Sequence, residues 1–252
     1  MCRHLAYLGP PASLAAVLSD PPHGLVRQSW APREQQHGTV NADGFGVGWY
    51  ADGDPVPARY RRAGPIWADE SFADLARVTR ARAVLAAVRS ATDGTAPGEA
   101  AAAPFAADRW LFSHNGRLNG WPAATDRLAA TLPPAELLAL ESRTDSALAW
   151  ALVLHRLRAG EGLPDALAQT IADLDANGIT GRFNFLLTDG AQIAATAAGD
   201  TLCYRAGPGD PGYTVVAAEP TDDEPGWHRV PDRSVLTARP GAVEVSPLKP
   251  AD

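Results

Sequence analysis

The chain predicts an α+β sandwich, and three observations carry that prediction. Strand-like runs lie at both ends of the sequence, helical runs fill its middle, and no linker, charge block or repeat divides its 252 residues. Terminal strands must then share sheets, so 1–252 is expected to form a single domain. At this length roughly 70–75% of the unfolded chain's surface can be buried, and a full core needs neither disulfide nor metal staples.

The first run, Cys2-Arg3-His4-Leu5-Ala6-Tyr7-Leu8, reads as a strand stopped by Gly9-Pro10-Pro11, and 12–18 as a short helix. Asn41-Ala42-Asp43-Gly44 gives a turn before the strand Phe45-Gly46-Val47-Gly48-Trp49-Tyr50. Its glycines do not make a dinucleotide fingerprint, because a proline-bearing turn follows where a helix would have to receive the pyrophosphate. Residues 69–80 read as helix, 83–89 as a buried strand with Arg89 at its exit, and 93–104, rich in Gly, Ala, Thr and Pro, as a mobile loop. Next, 110–116 reads as a strand running into an Asn-Gly turn. Helical spacing covers 122–131, 134–141, 145–159 and 163–174, the last ended by Asn177-Gly178. The remaining short strands, 183–188, 192–196, 201–205, 213–218, 234–238 and 243–245, suggest an antiparallel meander.

Composition narrows the function. The net charge of −7 supplies no basic footprint, so neither nucleic acid nor an anionic membrane surface is an expected partner. No run approaches the ~18 uninterrupted apolar residues of a spanning helix, and no basic-then-apolar leader opens the chain, which points to the cytoplasm. Two cysteines make no disulfide framework, and the six histidines lack metal-ligand spacing, so neither a metal nor another cofactor is expected. A G-x-S-x-G elbow and a phosphate loop are both missing. Cys203, inside a strand, reads as inert core.

Four places remain for chemistry. Cys2 follows the initiator methionine. Removal of Met1 would give one residue both a thiol and an α-amine of pKa near 7.7–8.0, nucleophile and base together; the alternative is a small buried strand residue. The amide of Asn115 and the backbone N–H of Gly116 could converge on a developing oxyanion, or simply form the turn, with His114 beside them lining a substrate pocket. Arg89 and Thr92, at a strand exit, could hold a substrate carboxylate or form a surface pair. Asp145 or Thr144 is first a helix cap, and the Asp145 carboxylate could instead bind a substrate ammonium.

In order along the chain, Met1-Cys2-Arg3-His4, Asn41-Ala42-Asp43-Gly44-Phe45-Gly46, Arg89-Ser90-Ala91-Thr92, Phe112-Ser113-His114-Asn115-Gly116 and Thr144-Asp145-Ser146 resemble the class II glutamine amidotransferases, N-terminal-nucleophile hydrolases. Ala31-Pro32-Arg33, His37-Gly38, Ala103-Pro104-Phe105, Glu219-Pro220 and Val230-Pro231-Asp232 are similar to the subgroup that cleaves γ-glutamyl-hercynylcysteine sulfoxide in ergothioneine biosynthesis. Ala101-Ala102-Ala103-Pro104-Phe105 departs from the Asn-x-His-Pro-Phe segment of many relatives. The resemblance implies a four-layer αββα sandwich of two antiparallel sheets with Cys2 as nucleophile. It further implies that Asn115 and Gly116 hold the oxyanion, Arg89 and Thr92 the glutamyl α-carboxylate, and Asp145 the α-ammonium. The substrate is then a small γ-glutamyl amide. With no synthetase domain to receive ammonia, water is the expected acceptor.

Overall fold

The computed structural model describes residues 2–91 and 98–249. Thirteen strands alternate with seven α-helices among them. The strands are β1 (Arg3–Ser13), β2 (Phe45–Trp49), β3 (Ala58–Arg62), β4 (Arg80–Val88), β5 (Phe105–Ala107), β6 (Trp110–Leu118), β7 (Gly181–Thr188), β8 (Ile193–Ala197), β9 (Cys203–Gly207), β10 (Tyr213–Ala217), β11 (His228–Arg229), β12 (Ser234–Arg239) and β13 (Ala242–Pro247). The helices are α1 (Leu14–Leu18), α2 (Leu25–Gln28), α3 (Glu70–Val78), α4 (Asp126–Ala129), α5 (Pro134–Leu138), α6 (Asp145–Arg158) and α7 (Leu163–Ala176).

One sheet has the order β11-β9-β10-β1-β4-β2-β3 and the other β13-β12-β8-β7-β6-β5, with every pairing antiparallel. Three apolar clusters separate four layers. Ala6, Leu8, Leu85, Leu111, Leu186 and Leu236 fill the space between the sheets. Leu5, Leu14, Leu18, Phe45 and Phe72 pack the first sheet against α1–α3. Phe112, Leu148, Trp150, Leu167 and Phe185 pack the second against α6 and α7. The fold is the αββα sandwich.

Three local expectations change. β1 does not stop at Gly9. Its pairing with β10 ends at Leu8, while pairing with β4 resumes at Ala12 after a register shift, so Pro10 and Pro11 fall where no ladder N–H is required. Nor is the last third a simple meander: β9, β10 and β11 join the first sheet, and β7, β8, β12 and β13 the second. β3 escaped the sequence because three of its five residues, Ala58-Arg59-Tyr60-Arg61-Arg62, are arginines; it is an edge strand whose Arg59 and Arg61 both bond Glu141, at 2.9 and 2.7 Å. Of the expected mobile loop, 93–97 lie outside the described residues, and 99–101 form a short 3-10 turn.

Candidate active site

Strand parity aims the site residues. Along β1, Leu5 and Tyr7 face the helical layer, whereas Ala6 and Leu8 face the opposing sheet. The period of two therefore turns His4 and Cys2 into the space between sheets. On β6, Phe112 faces α6 and Leu111 faces that same space, so Ser113 and Asn115 look into it while His114 looks away.

Three contacts fix how β1 and β6 pass one another. His4 Nδ1 lies 3.2 Å from Ser113 Oγ. In the Ala6–Leu85–Gly48 row, a Cβ on Gly48 would come within 2.7 Å of Leu111 Cδ1, which accounts for that glycine. From the Leu8–Ala83 row, Tyr50 donates its hydroxyl to the Arg109 carbonyl at 2.8 Å. Two residues forward on β1 thus match two residues back on β6. Extrapolated one step past His4 and Ser113, the same progression would bring Cys2, just ahead of β1, toward Asn115.

Cys2 is half-buried, its Sγ 3.8 Å from the Ser90 carbonyl oxygen. Ser90 and Arg89 arrive there because the 41–44 turn wraps the exit of β4. Arg89 N donates to Gly44 O at 2.7 Å, Asp43 N donates to Arg89 O at 2.9 Å, and Ala91 N donates to the Asp43 carboxylate at 2.7 Å. The Arg89 guanidinium, largely buried, also donates to Asp43 O at 3.1 Å. The Arg89 guanidinium is thereby anchored by backbone at the exit of β4, next in sequence to Ser90. Thr92 lies outside the described residues.

Asn115 is fully buried, and neither its Nδ2 nor its Oδ1 has a hydrogen-bond partner among the described residues. Burying an unpaired amide costs about 1–3 kcal/mol, so such a group on a central strand is poised for something that is not the protein. Asn115-Gly116 is not a turn: β6 continues through it, with Asn115 opposite Asn184 and Gly116 opposite Phe183 on β7. Glycine is needed for a different reason. A Cβ at 116 would sit 1.9 Å from Arg182 O and 2.6 Å from His114 Nε2.

His114 does not face a ligand. Its Nε2 lies 2.8 Å from the Arg182 carbonyl and must donate to it, leaving Nδ1 to accept from the Ser146 hydroxyl at 3.0 Å. Both nitrogens are consumed, and the expected pocket residue is a strut joining β6, β7 and α6. Thr144, not Asp145, caps α6, its hydroxyl accepting from Ala147 N at 3.1 Å. That leaves the buried Asp145 carboxylate at the first helical position, where the macrodipole favours an anion. It accepts from Leu118 N and Ser146 N, both at 2.9 Å, and among the described residues neither oxygen has a second hydrogen-bond partner.

Burial sets the protonation of the surrounding groups. Desolvation, with Arg3 and His114 nearby, lowers the His4 pKa to about 3, so this ring stays neutral beside Ser113. His114 is likewise lowered, chiefly by burial, against the pull of Asp145. Cys203 has its thiol raised by burial and lies 3.4 Å from Ala217 O, as an inert core residue should. Sequence reasoning gave no role to Arg3, Ser113 or Glu219. All three stand in motifs that the sequence offers, but the Arg3–Glu219 and His4–Ser113 contacts join residues distant in the chain and could not be read from it.

Residues 14–211 match the family described as class II glutamine amidotransferases. The chain is 45% identical over 248 residues to the γ-glutamyl-hercynylcysteine sulfoxide hydrolase of Mycolicibacterium smegmatis, covering 98% of this chain and 100% of the relative. It is 41% identical over 249 residues to the Mycobacterium tuberculosis protein of the same name, covering 98% and 97%. Among solved structures, a glutamine aminotransferase class-II domain protein from Silicibacter pomeroyi superposes with a TM-score of 0.70 at 25% identity, over 99% of this chain and 100% of that one.

Proposed function

This chain belongs to the class II glutamine amidotransferases, and from that membership together with the setting of Cys2 we propose that it hydrolyses the γ-glutamyl amide of γ-glutamyl-hercynylcysteine sulfoxide, a step of ergothioneine biosynthesis. The observation that carries the reading is the buried Asn115 amide, which has no hydrogen-bond partner among the described residues and lies on the face of β6 turned toward the sheet that Cys2 opens. The Cys2 thiolate attacks the γ-carbonyl carbon, and the resulting oxyanion accepts N–H bonds from Asn115 Nδ2 and Gly116 N. Collapse breaks the C–N bond, the departing nitrogen takes up a proton, and hercynylcysteine sulfoxide leaves a γ-glutamyl thioester on Cys2. Water then adds to the thioester carbonyl, releasing glutamate and regenerating the thiol. The α-amine of Cys2, freed by loss of Met1, is the base that takes and returns the proton.

The glutamyl head group carries a carboxylate and an ammonium, and Arg89 and Asp145 supply the matching charges. Removing one leaves its counterpart on the substrate unpaired in a partly desolvated pocket, and an ammonium cannot reproduce the guanidinium fork. Arg89→Lys and Asp145→Asn are each expected to lower kcat/KM at least about tenfold, equivalent to ~1.4 kcal/mol, without slowing Cys2 alkylation by iodoacetamide. Near-wild-type kinetics in both variants would remove this assignment.

The reaction itself is tested by comparing kcat/KM for free glutamine, a γ-glutamyl dipeptide and γ-glutamyl-hercynylcysteine sulfoxide. The sulfoxide is expected to be preferred by at least about a hundredfold. Preference for glutamine would make the chain a glutaminase instead.

A further inference from the structure

The residue after the nucleophile is an arginine with no exposed surface, an expensive choice for a strand between two sheet neighbours. Its Nε donates to the Cys2 carbonyl at 2.9 Å, and its Nη1 lies 3.5 Å from Glu219 Oε2, a carboxylate that is itself fully buried. Burial lowers the Arg3 pKa from its usual value, with Glu219 foremost among the charges that oppose the shift. Replacement by an apolar side chain would suit the packing of β1, so the pair needs another reason to be present.

That reason lies at the other side of the carboxylate. Glu219 Oε1 accepts from Arg33 N and Oε2 from Glu34 N, each at 2.9 Å, so one side chain pins two successive amides of the 31–41 loop. Surface pairs reinforce the attachment: Arg33 to Asp223 at 2.6 Å, and Arg229 to Glu34 through two bonds of 2.8 and 2.6 Å. Further along this loop, Gly38 closes on Ser90: a Cβ there would be 3.9 Å from Ser90 Oγ, and Ser90 is the residue whose carbonyl contacts the Cys2 thiol. Asn41 returns the loop to the body by donating to Gln28 O and Gln35 Oε1, at 3.0 and 2.9 Å.

We propose that Arg3 and Glu219 are positioning residues that couple the 31–41 loop to the nucleophile: the carboxylate that holds the loop amides also holds, through the guanidinium, the backbone of Cys2. Order in the loop and placement of the thiol are then one property. The proposal rests on Cys2 being the nucleophile, but its principal readout needs no substrate.

Arg3 touches neither Arg33 N nor Glu34 N, so Arg3→Lys provides the test. Hydrogen exchange at the 33–34 amides is expected to accelerate at least about tenfold. With whichever γ-glutamyl amide the wild type turns over fastest, kcat should fall about tenfold or more while KM changes less than about threefold, because thiol placement is lost and the glutamyl contacts are kept. Glu219→Asp should recover less than half of the kcat lost in Glu219→Gln, since the shortened carboxylate cannot span both partners. If Arg3→Lys fails to fold, the surface double variant Arg33→Ala/Arg229→Ala probes the same link from the loop end and should lower kcat at least about threefold with KM again little changed. Wild-type exchange at 33–34 in folded Arg3→Lys, or an undiminished kcat in a surface variant whose loop exchanges faster, would overturn the coupling. Failure of the sulfoxide as substrate would leave the exchange result standing and would bear only on the function assigned above.

Discussion

Cys2→Ala is expected to abolish turnover, to below about one part in a thousand of the wild-type rate, while the protein melts within a few degrees of the wild type. The loss is total in mechanism because the side chain supplies the atom that bonds to the γ-carbonyl; the residual α-amine has no nucleophile to activate. Stability should change little, since Cys2 is half-buried and precedes β1, and its thiol makes one long contact among the described residues, to Ser90 O at 3.8 Å. The variant should still bind the substrate, so calorimetric titration with the intact γ-glutamyl amide gives the head-group affinity directly. Retention of near-normal hydrolysis would discard Cys2 as nucleophile.

Asn115→Ala separates stability from catalysis in the opposite way to most buried substitutions. An Asn inside a protein is ordinarily held by hydrogen bonds, and truncation exposes their former partners to loss. Here the amide has no partner among the described residues, so nothing in the fold is left unsatisfied when it goes. The melting temperature is expected to hold or rise by a few degrees, because a desolvated and unpaired amide is removed from the space between the sheets. The kcat is expected to fall about 10²–10³-fold, the usual cost of losing one preorganised oxyanion donor, or ~2.7–4 kcal/mol. Thermal denaturation and steady-state kinetics on the same preparation decide it. A large loss of stability with modest loss of kcat would mean that Asn115 is structural.

How much of this was legible in the sequence follows from which interactions are local. Cys2, proposed as nucleophile, the Asn115-Gly116 pair, and Arg89 and Asp145, proposed to hold the head group, stand in short motifs, and the sandwich follows from strands at both ends of the chain. Asn115-Gly116 shows the limit of local rules. The dipeptide is a strong turn signal, yet its glycine answers to Arg182 O on a neighbouring strand. His114 was misplaced for a related reason, since its side of β6 is decided by what Phe112 and Leu111 face. Prolines 10 and 11 looked like a stop because a ladder was assumed on both sides; β10 has already left by that point. The role of Glu219 was beyond reach, because its three partners, Arg3, Arg33 and Glu34, all lie far from it in the sequence.

The neighbours of β1 carry a consequence for biogenesis. Its pairing partners are β4, near residue 85, and β10, near residue 215. β1 therefore waits with its apolar residues until β10, a much later segment of the sequence, has been made. A nascent chain arrested before β10 would carry Cys2 on a strand with one free edge. Cys2, made just ahead of β1, gains its setting only once β10 has been made.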